Sequence, residues 1–186
     1  MKNVNNYDDL QNILSDVIEE YNLDKVSVNS LLMSSFDFLE PELESASLVE
    51  INTRDWEKSK SVRLSNIQVD LKIALDVIFA VKPMFTAEGG HLILLILRAI
   101  IILVSAGTVH LSKKDAEVLF AIYRLQRASQ RDIYDYLVRL SKENDDIDIV
   151  EELDIERSLS ILEKVHAVEL VDGGYHLNDI IRIKAS

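Results

Sequence analysis

The chain has 186 residues, and 48% of them are hydrophobic, so it can bury the core of one ordinary domain or of two small ones. The absence of Cys excludes disulfides, thiolate metal sites and a Cys nucleophile, and it is typical of a reducing compartment. The formal charge of −12 repels nucleic-acid backbones and anionic lipid surfaces, and it favours either a basic partner or plain solubility. No basic-then-apolar signal pattern opens the sequence, so we expect a cytoplasmic protein.

A helical period dominates the start of the chain. Apolar residues recur on one face from Leu10 to Tyr21, which predicts an amphipathic helix with Asp8 or Asp9 as its N-cap. A second, short helix is predicted from Asn29 to Leu39. We expect it to end there because Pro41 restricts the backbone of the residue before it.

The middle of the chain combines a weak pattern with two strongly apolar helices. Residues 48–51 can form a short strand. Trp56 is a candidate interface anchor if it is exposed, and the alternative is that it folds back onto the bundle. Helices are predicted over residues 65–81 and 91–105, and their short connection predicts antiparallel packing. The apolar run in the second helix covers about 13 residues, short of the roughly 20 that a bilayer requires, and Arg98 lies within it. We therefore expect a buried helix and no membrane contact.

Three more helices are predicted after residue 107. Ser112 is placed to cap the first, with Asp115 reaching back to it as in a capping box. Ser129 caps the second helix, and a polar stretch follows it. The third helix begins between Ile149 and Ile155, and Asp154 is its simplest N-cap.

A β-hairpin is predicted at the end of this unit. Residues 167–171 and 175–177 are strand-like and flank Asp172-Gly173-Gly174, a turn sequence. Three helices followed by a two-stranded wing resemble the winged-helix fold, and residues 158–169 are similar to the segment where a recognition helix leads into the wing. The resemblance covers residues 111–183. It departs from a compact helix-turn-helix, which joins its helices by three or four residues, because about ten polar residues separate helices two and three.

These patterns together predict a mainly α protein. We expect an N-terminal helical bundle, residues 1–107, to pack against a C-terminal winged-helix domain with a small β-hairpin wing, residues 108–186. No catalytic motif accompanies either part, and no cofactor or metal site is predicted. His166 and His176 flank the hairpin without forming a ligand set, and the acidic residues 145–152 lack the Gly and the spacing of a calcium loop.

The first functional hypothesis is a non-enzymatic protein-binding module. It describes an accessory subunit, or a neutralising partner of a basic protein in the manner of an antitoxin or immunity protein; a homodimer is compatible with it. An acidic third helix favours protein docking over DNA. The residues assigned to partner binding are Trp56, Glu151, Glu152, Asp154, Glu156, Arg157, Ser160, Glu163 and Lys164.

The alternative hypothesis is a DNA-binding transcriptional regulator, which the winged-helix resemblance implies. The third helix would then enter the major groove, although its carboxylates would face phosphates and the tip of the wing has no Lys or Arg. The residues assigned to DNA contacts are Arg127, Arg131, Arg157, Lys164, Arg182 and Lys184.

Overall fold

The computed structural model describes residues 4, 6–39, 66–81, 86–104, 109–145, 147–148 and 151–183. Over these residues the protein is mainly helical and includes a small amount of antiparallel sheet. The elements are, in chain order, α1 (Tyr7–Ile13), α2 (Ser15–Glu20), α3 (Lys25–Ser35), β1 (Phe36–Leu39), β2 (Asn66–Asp70), α4 (Leu71–Val81), α5 (Ala87–Val104), α6 (Lys113–Leu125), α7 (Gln130–Ser141), α8 (Glu152–Lys164), β3 (Val168–Val171), β4 (Gly174–Leu177) and β5 (Ile180–Ile183).

The first predicted helix is confirmed in position but not in its cap. It consists of α1 and α2, which meet at Leu14, and the predicted apolar face is buried at Leu10, Leu14 and Ile18. The N-cap is Asn6 instead of Asp8 or Asp9, since its side chain accepts a hydrogen bond from the backbone N–H of Asp9 at 2.9 Å. The predicted cap residues lie in the first turn, where their negative charge favours the helix dipole.

The second predicted helix is wrong in its last residues. Helix α3 begins one turn earlier than expected, after the N-cap Asp24, and ends at Ser35. The four residues that follow form the strand β1. Phe36 is buried, Asp37 is exposed and Phe38 is half-buried, which is the alternation of a strand with one face on the core.

The helix predicted from residue 65 begins too early in the same way. Residues 66–70 form β2, in which Ile67 and Val69 are buried, and α4 starts only at Leu71. The transition is fixed by Asp70, whose carboxylate accepts a hydrogen bond from the backbone N–H of Ile73 at 2.8 Å. A side-chain acceptor at this position satisfies one of the free N–H groups of the new helix.

A three-stranded antiparallel sheet joins the beginning of the chain to its end. The strand order is β1-β2-β5, with Phe36 opposite Val69 and Val69 opposite Ile181. The N-terminal part, for which we expect a helical bundle, therefore also contains the strands β1 and β2. The sheet also crosses the predicted domain boundary, because β2 lies before it and β5 after it.

Helix α5 is confirmed as the buried helix that its apolar sequence predicts. Its residues from Leu92 to Leu97 are all buried, and it packs between α4 and α6. Arg98 reaches an exposed edge and donates to the carbonyl of Val109 at 3.4 Å. Among the described residues, no helix combines the length and the apolar character needed to cross a membrane.

From α6 to β4 the elements follow the predicted order, and the strand β5 after them was not predicted. Ser112 caps α6 through the predicted capping box, and the predicted cap Ser129 of α7 also forms a capping box, with Asp132. The hairpin β3–β4 is confirmed, and its turn has the positive φ values, 48° at Asp172 and 75° at Gly173, that a tight hairpin turn requires. The cap predicted for α8 is wrong: the N-cap is Glu151, and Asp154 lies inside the first turn.

The pairing of β5 with β2 can be tested by two neighbouring substitutions. Ile181 is 4% exposed on the inner face of the sheet, whereas Ile180 is 48% exposed. We expect Ile181→Ala to lower the free energy of unfolding by about 2–4 kcal/mol, because it leaves a cavity, and Ile180→Ala to lower it by less than about 1 kcal/mol. Urea denaturation measures both, and equal effects would contradict this register.

Candidate functional site

The candidate site lies on helix α8, on the side opposite to the residues that the helix buries. Ile155, Ser158, Leu159 and Leu162 face the core, so the opposite side of the helix must face solvent. We call this exposed side the α8 face; it consists of Glu152, Leu153, Glu156, Arg157, Ser160, Glu163 and Lys164. Six of the nine residues predicted to bind a partner thus share one surface.

The α8 face has three parallel rows, set by the helical period. Carboxylates occupy one side at Glu152, Glu156 and Glu163, and the two basic residues occupy the other side at Arg157 and Lys164. The central row, seven residues apart, is Leu153 and Ser160. Leu153 is 74% exposed, so the central row presents a large apolar side chain to solvent.

The hairpin β3–β4 extends this surface. Leu170 and Tyr175 are opposite each other in the ladder, so their side chains share one face of the hairpin. Leu170 is 52% exposed and Tyr175 is half-buried. Burial raises the pKa of the Tyr175 phenol, and the nearby carboxylates of Glu163 and Glu156 raise it further. The acidic row of α8 therefore lies beside an aromatic and apolar patch on the hairpin.

Asp154 is separated from the α8 face by its own partner. Its carboxylate accepts a hydrogen bond from the ammonium group of Lys114 on α6, and this bond holds the pKa of Asp154 below its usual range. Glu151 is exposed at the N-cap, next to the face. Of the predicted acidic residues, Asp154 thus connects α8 to α6 instead of facing solvent freely.

A buried hydrogen bond fixes the rotation of α8 on α6. The Ser158 hydroxyl donates to Asp115 Oδ1 at 2.6 Å, and both groups are buried. Asp115 Oδ2 accepts from the backbone N–H of Ser112 at 2.6 Å and from its hydroxyl at 3.0 Å. One carboxylate therefore caps α6 and anchors α8.

The basic residues that are predicted to contact DNA and lie in the described part of the chain are distributed over the α6–α7 connection, α7, α8 and β5. Arg127 donates to the carbonyl of Asp172 at 2.9 Å and packs over Gly174, where a Cβ would lie 2.8 Å from the Arg127 Cγ. Its side chain thus supports the hairpin turn. Arg131 Nε lies 3.7 Å from Asp135 Oδ2, one turn along α7. Arg182 lies in β5, which pairs with β2 and does not extend the hairpin.

Two predicted site residues, Trp56 and Lys184, lie outside the described residues. In the part of the chain that the structure describes, no group of three or more His, Asp and Glu side chains could hold a metal ion.

A polar cleft of about 530 Å³ lies between α4, the end of α6 and β4. The Tyr123 hydroxyl donates there to the Asp76 carboxylate, and burial raises the Tyr123 pKa to about 12. The phenol is therefore the donor in this hydrogen bond at neutral pH. Its bond to Asp76 ties α6 to α4.

The prediction from sequence missed the apolar and aromatic part of the surface. Leu153 could have been found, since it falls between Glu152 and Asp154 on the polar side of the predicted helix. Tyr175 and Leu170 could not, because their position beside α8 depends on how the hairpin folds back. No protein-family model, curated protein or solved structure matches the chain at a significant level.

The role of Ser158 predicts a difference between two serines of the same helix. Ser158→Ala leaves Asp115 Oδ1 buried without its donor, and we expect it to lower the free energy of unfolding by about 1–3 kcal/mol. Ser160→Ala, on the α8 face, should change it by no more than about 0.5 kcal/mol. Chemical denaturation of both variants measures the difference. A free energy of unfolding that Ser158→Ala leaves unchanged would contradict the anchoring role.

Proposed function

We propose that the C-terminal part of this chain is a winged-helix unit that acts as a non-enzymatic protein-binding module. The order of α6, α7, α8, β3 and β4 supports the winged-helix assignment. So does an isolated β-bridge between Ala128, in the α6–α7 connection, and Tyr175 of β4. The bridge places the hairpin beside the connection between the first two helices of the unit.

The observation that carries the functional proposal is the chemistry of the α8 face. An exposed Leu153 lies between a row of three carboxylates and a row of two cations, and the exposed Leu170 of the hairpin lies nearby. Apolar side chains surrounded by polar ones are typical of protein interfaces. We therefore assign docking of a protein partner to the α8 face and the hairpin.

The charge of this surface favours a basic partner. The acidic row has no ion-pair partner among the described residues, and the sequence contains no Lys or Arg from Val165 to Ile181. With a net charge of −12, the chain attracts a basic protein at long range and steers its approach. An accessory subunit, or an antitoxin-like or immunity-like partner of a basic protein, fits these properties.

DNA binding is the less supported function. A nucleic acid on the α8 face would bring its phosphates next to Glu152, Glu156 and Glu163, and phosphate contacts contribute much of the affinity in such complexes. Only Arg157 and Lys164 on this face could contribute favourably.

The proposal can be tested by matched charge reversals in affinity purification from the native host. The test variant carries Glu152→Lys, Glu156→Lys and Glu163→Lys. The control carries Asp16→Lys, Glu19→Lys and Asp37→Lys, three exposed positions on other elements. Both change the net charge by the same amount. We expect wild type and control to retain one basic protein in stoichiometric amount, and the test variant to lose it at least tenfold.

Two outcomes would contradict the proposal. Equal recovery of the partner by all three proteins would place the interface elsewhere on the chain. Recovery of no protein except further copies of this chain would argue against a heterologous partner.

A further inference from the structure

The side chain of Glu117, on α6, is fully buried but incompletely bonded. Its Oε1 accepts a hydrogen bond from the backbone N–H of Asp148 at 3.2 Å, whereas its Oε2 has no hydrogen-bond partner. Buried polar atoms in native proteins are nearly always bonded, so such an oxygen requires an explanation. Burying a carboxylate oxygen without a hydrogen bond carries a large desolvation penalty, and protonation of the group removes most of that penalty.

The charges around Glu117 compensate it only in part. On its own helix, the Lys113 ammonium group lies 3.7 Å from Oε1, and it lies at the same distance from the Asp148 carboxylate. On α5, burial lowers the pKa of His91, and the nearby Lys113 ammonium group lowers it further. Towards α8, Asp154 is already paired with Lys114. Burial therefore prevails and raises the Glu117 pKa to about 7.

Glu117 holds part of the connection that leads into α8. Asp148 is bound through its backbone N–H, and the neighbouring Ile147 is buried in the core. The N-cap Glu151 follows within three residues, and Glu152 and Leu153 of the α8 face come directly after it. Glu117 therefore contacts the chain three residues before the N-cap of α8.

We propose that Glu117 is a protonation-dependent latch on Ile147 and Asp148, and that it regulates the N-terminal end of the α8 face. The neutral carboxyl group tolerates burial and keeps Ile147 and Asp148 against α6. The ionised group gains full hydration only when these two residues move away from it. The effect on docking rests on the proposed function, whereas the latch itself is a property of the isolated chain.

The direction of the pH dependence follows from linkage. The closed state holds the Glu117 proton with a pKa of about 7, and in the open state the pKa returns to about 4.5. Between these values the closed state binds more protons, so raising the pH favours opening. The opening equilibrium should be constant below the lower value, rise between the two, and be constant again above the higher value.

Amide hydrogen exchange measured by NMR tests the latch without any partner. We expect the opening equilibrium at the Ile147 and Asp148 amides, corrected for intrinsic exchange, to rise at least tenfold between pH 5 and pH 8. The two pKa values set a ceiling of about 300-fold for the whole rise, of which about 70-fold falls between pH 5 and pH 8. Glu117→Gln, which is neutral and similar in shape, should abolish the rise. Glu143→Gln, an exposed carboxylate near the end of α7, should retain it.

An opening equilibrium that is constant from pH 5 to pH 8 in the wild type would overturn the proposal, and so would an equal rise in Glu117→Gln. Either result would leave protein docking by the α8 face unaffected, because no partner is present in the experiment. Conversely, a confirmed latch together with failed partner capture would refute the proposed function alone.

Discussion

Asp115 makes the contact on which the geometry of the candidate site depends. It is buried, one of its oxygens closes the capping box of α6, and the other accepts the hydroxyl of Ser158 on α8. A buried carboxylate with both oxygens bonded tolerates little displacement of its donors, because an oxygen that loses its donor keeps the desolvation penalty without the hydrogen bond that offsets it. Asp115 therefore fixes the rotation of α8, and the rotation decides which of its residues face solvent.

The same argument explains why the exposed surface of α8 is chemically mixed. With Ile155, Ser158 and Leu159 directed to the core, the helical period leaves a row of carboxylates, a row of cations and an exposed Leu153 between them. The hairpin adds Leu170 and Tyr175 on one side. Arg127 supports the turn of that hairpin from its other face, where Gly174 leaves room for the side chain. A basic residue that sequence assigns to DNA thus has a structural role here.

Elements that depend on local patterns can be predicted from the sequence. Elements that form by pairing with distant residues cannot. The helical periods of α1, α5 and α6, the caps Ser112 and Ser129, and the hairpin turn are local features. The sequence predicts helix at β1 and β2, because an alternation over four or five residues is too short to be distinguished from part of a helical pattern. They become strands through pairing with each other and, for β2, with β5 near the end of the chain.

The candidate site was predictable to a similar extent. The charges of the α8 face follow from the helical pattern alone. The pairing of Asp154 with Lys114, and the burial of Glu117 under Asp148, depend on how α6 meets its neighbours. Glu117 lies between Ala116 and Val118, and only the packed structure shows that this charged residue is on the buried side.

The central claim is that the carboxylates of the α8 face favour a protein partner over nucleic acid. The most direct measurement is a mobility-shift assay at low salt with fragmented DNA from the native host, comparing wild type with Arg157→Ala. Low salt strengthens any phosphate contact, so it gives DNA binding its best opportunity. Our account predicts no sequence-specific retardation by either protein. Sequence-specific retardation by the wild type that Arg157→Ala abolishes would contradict it.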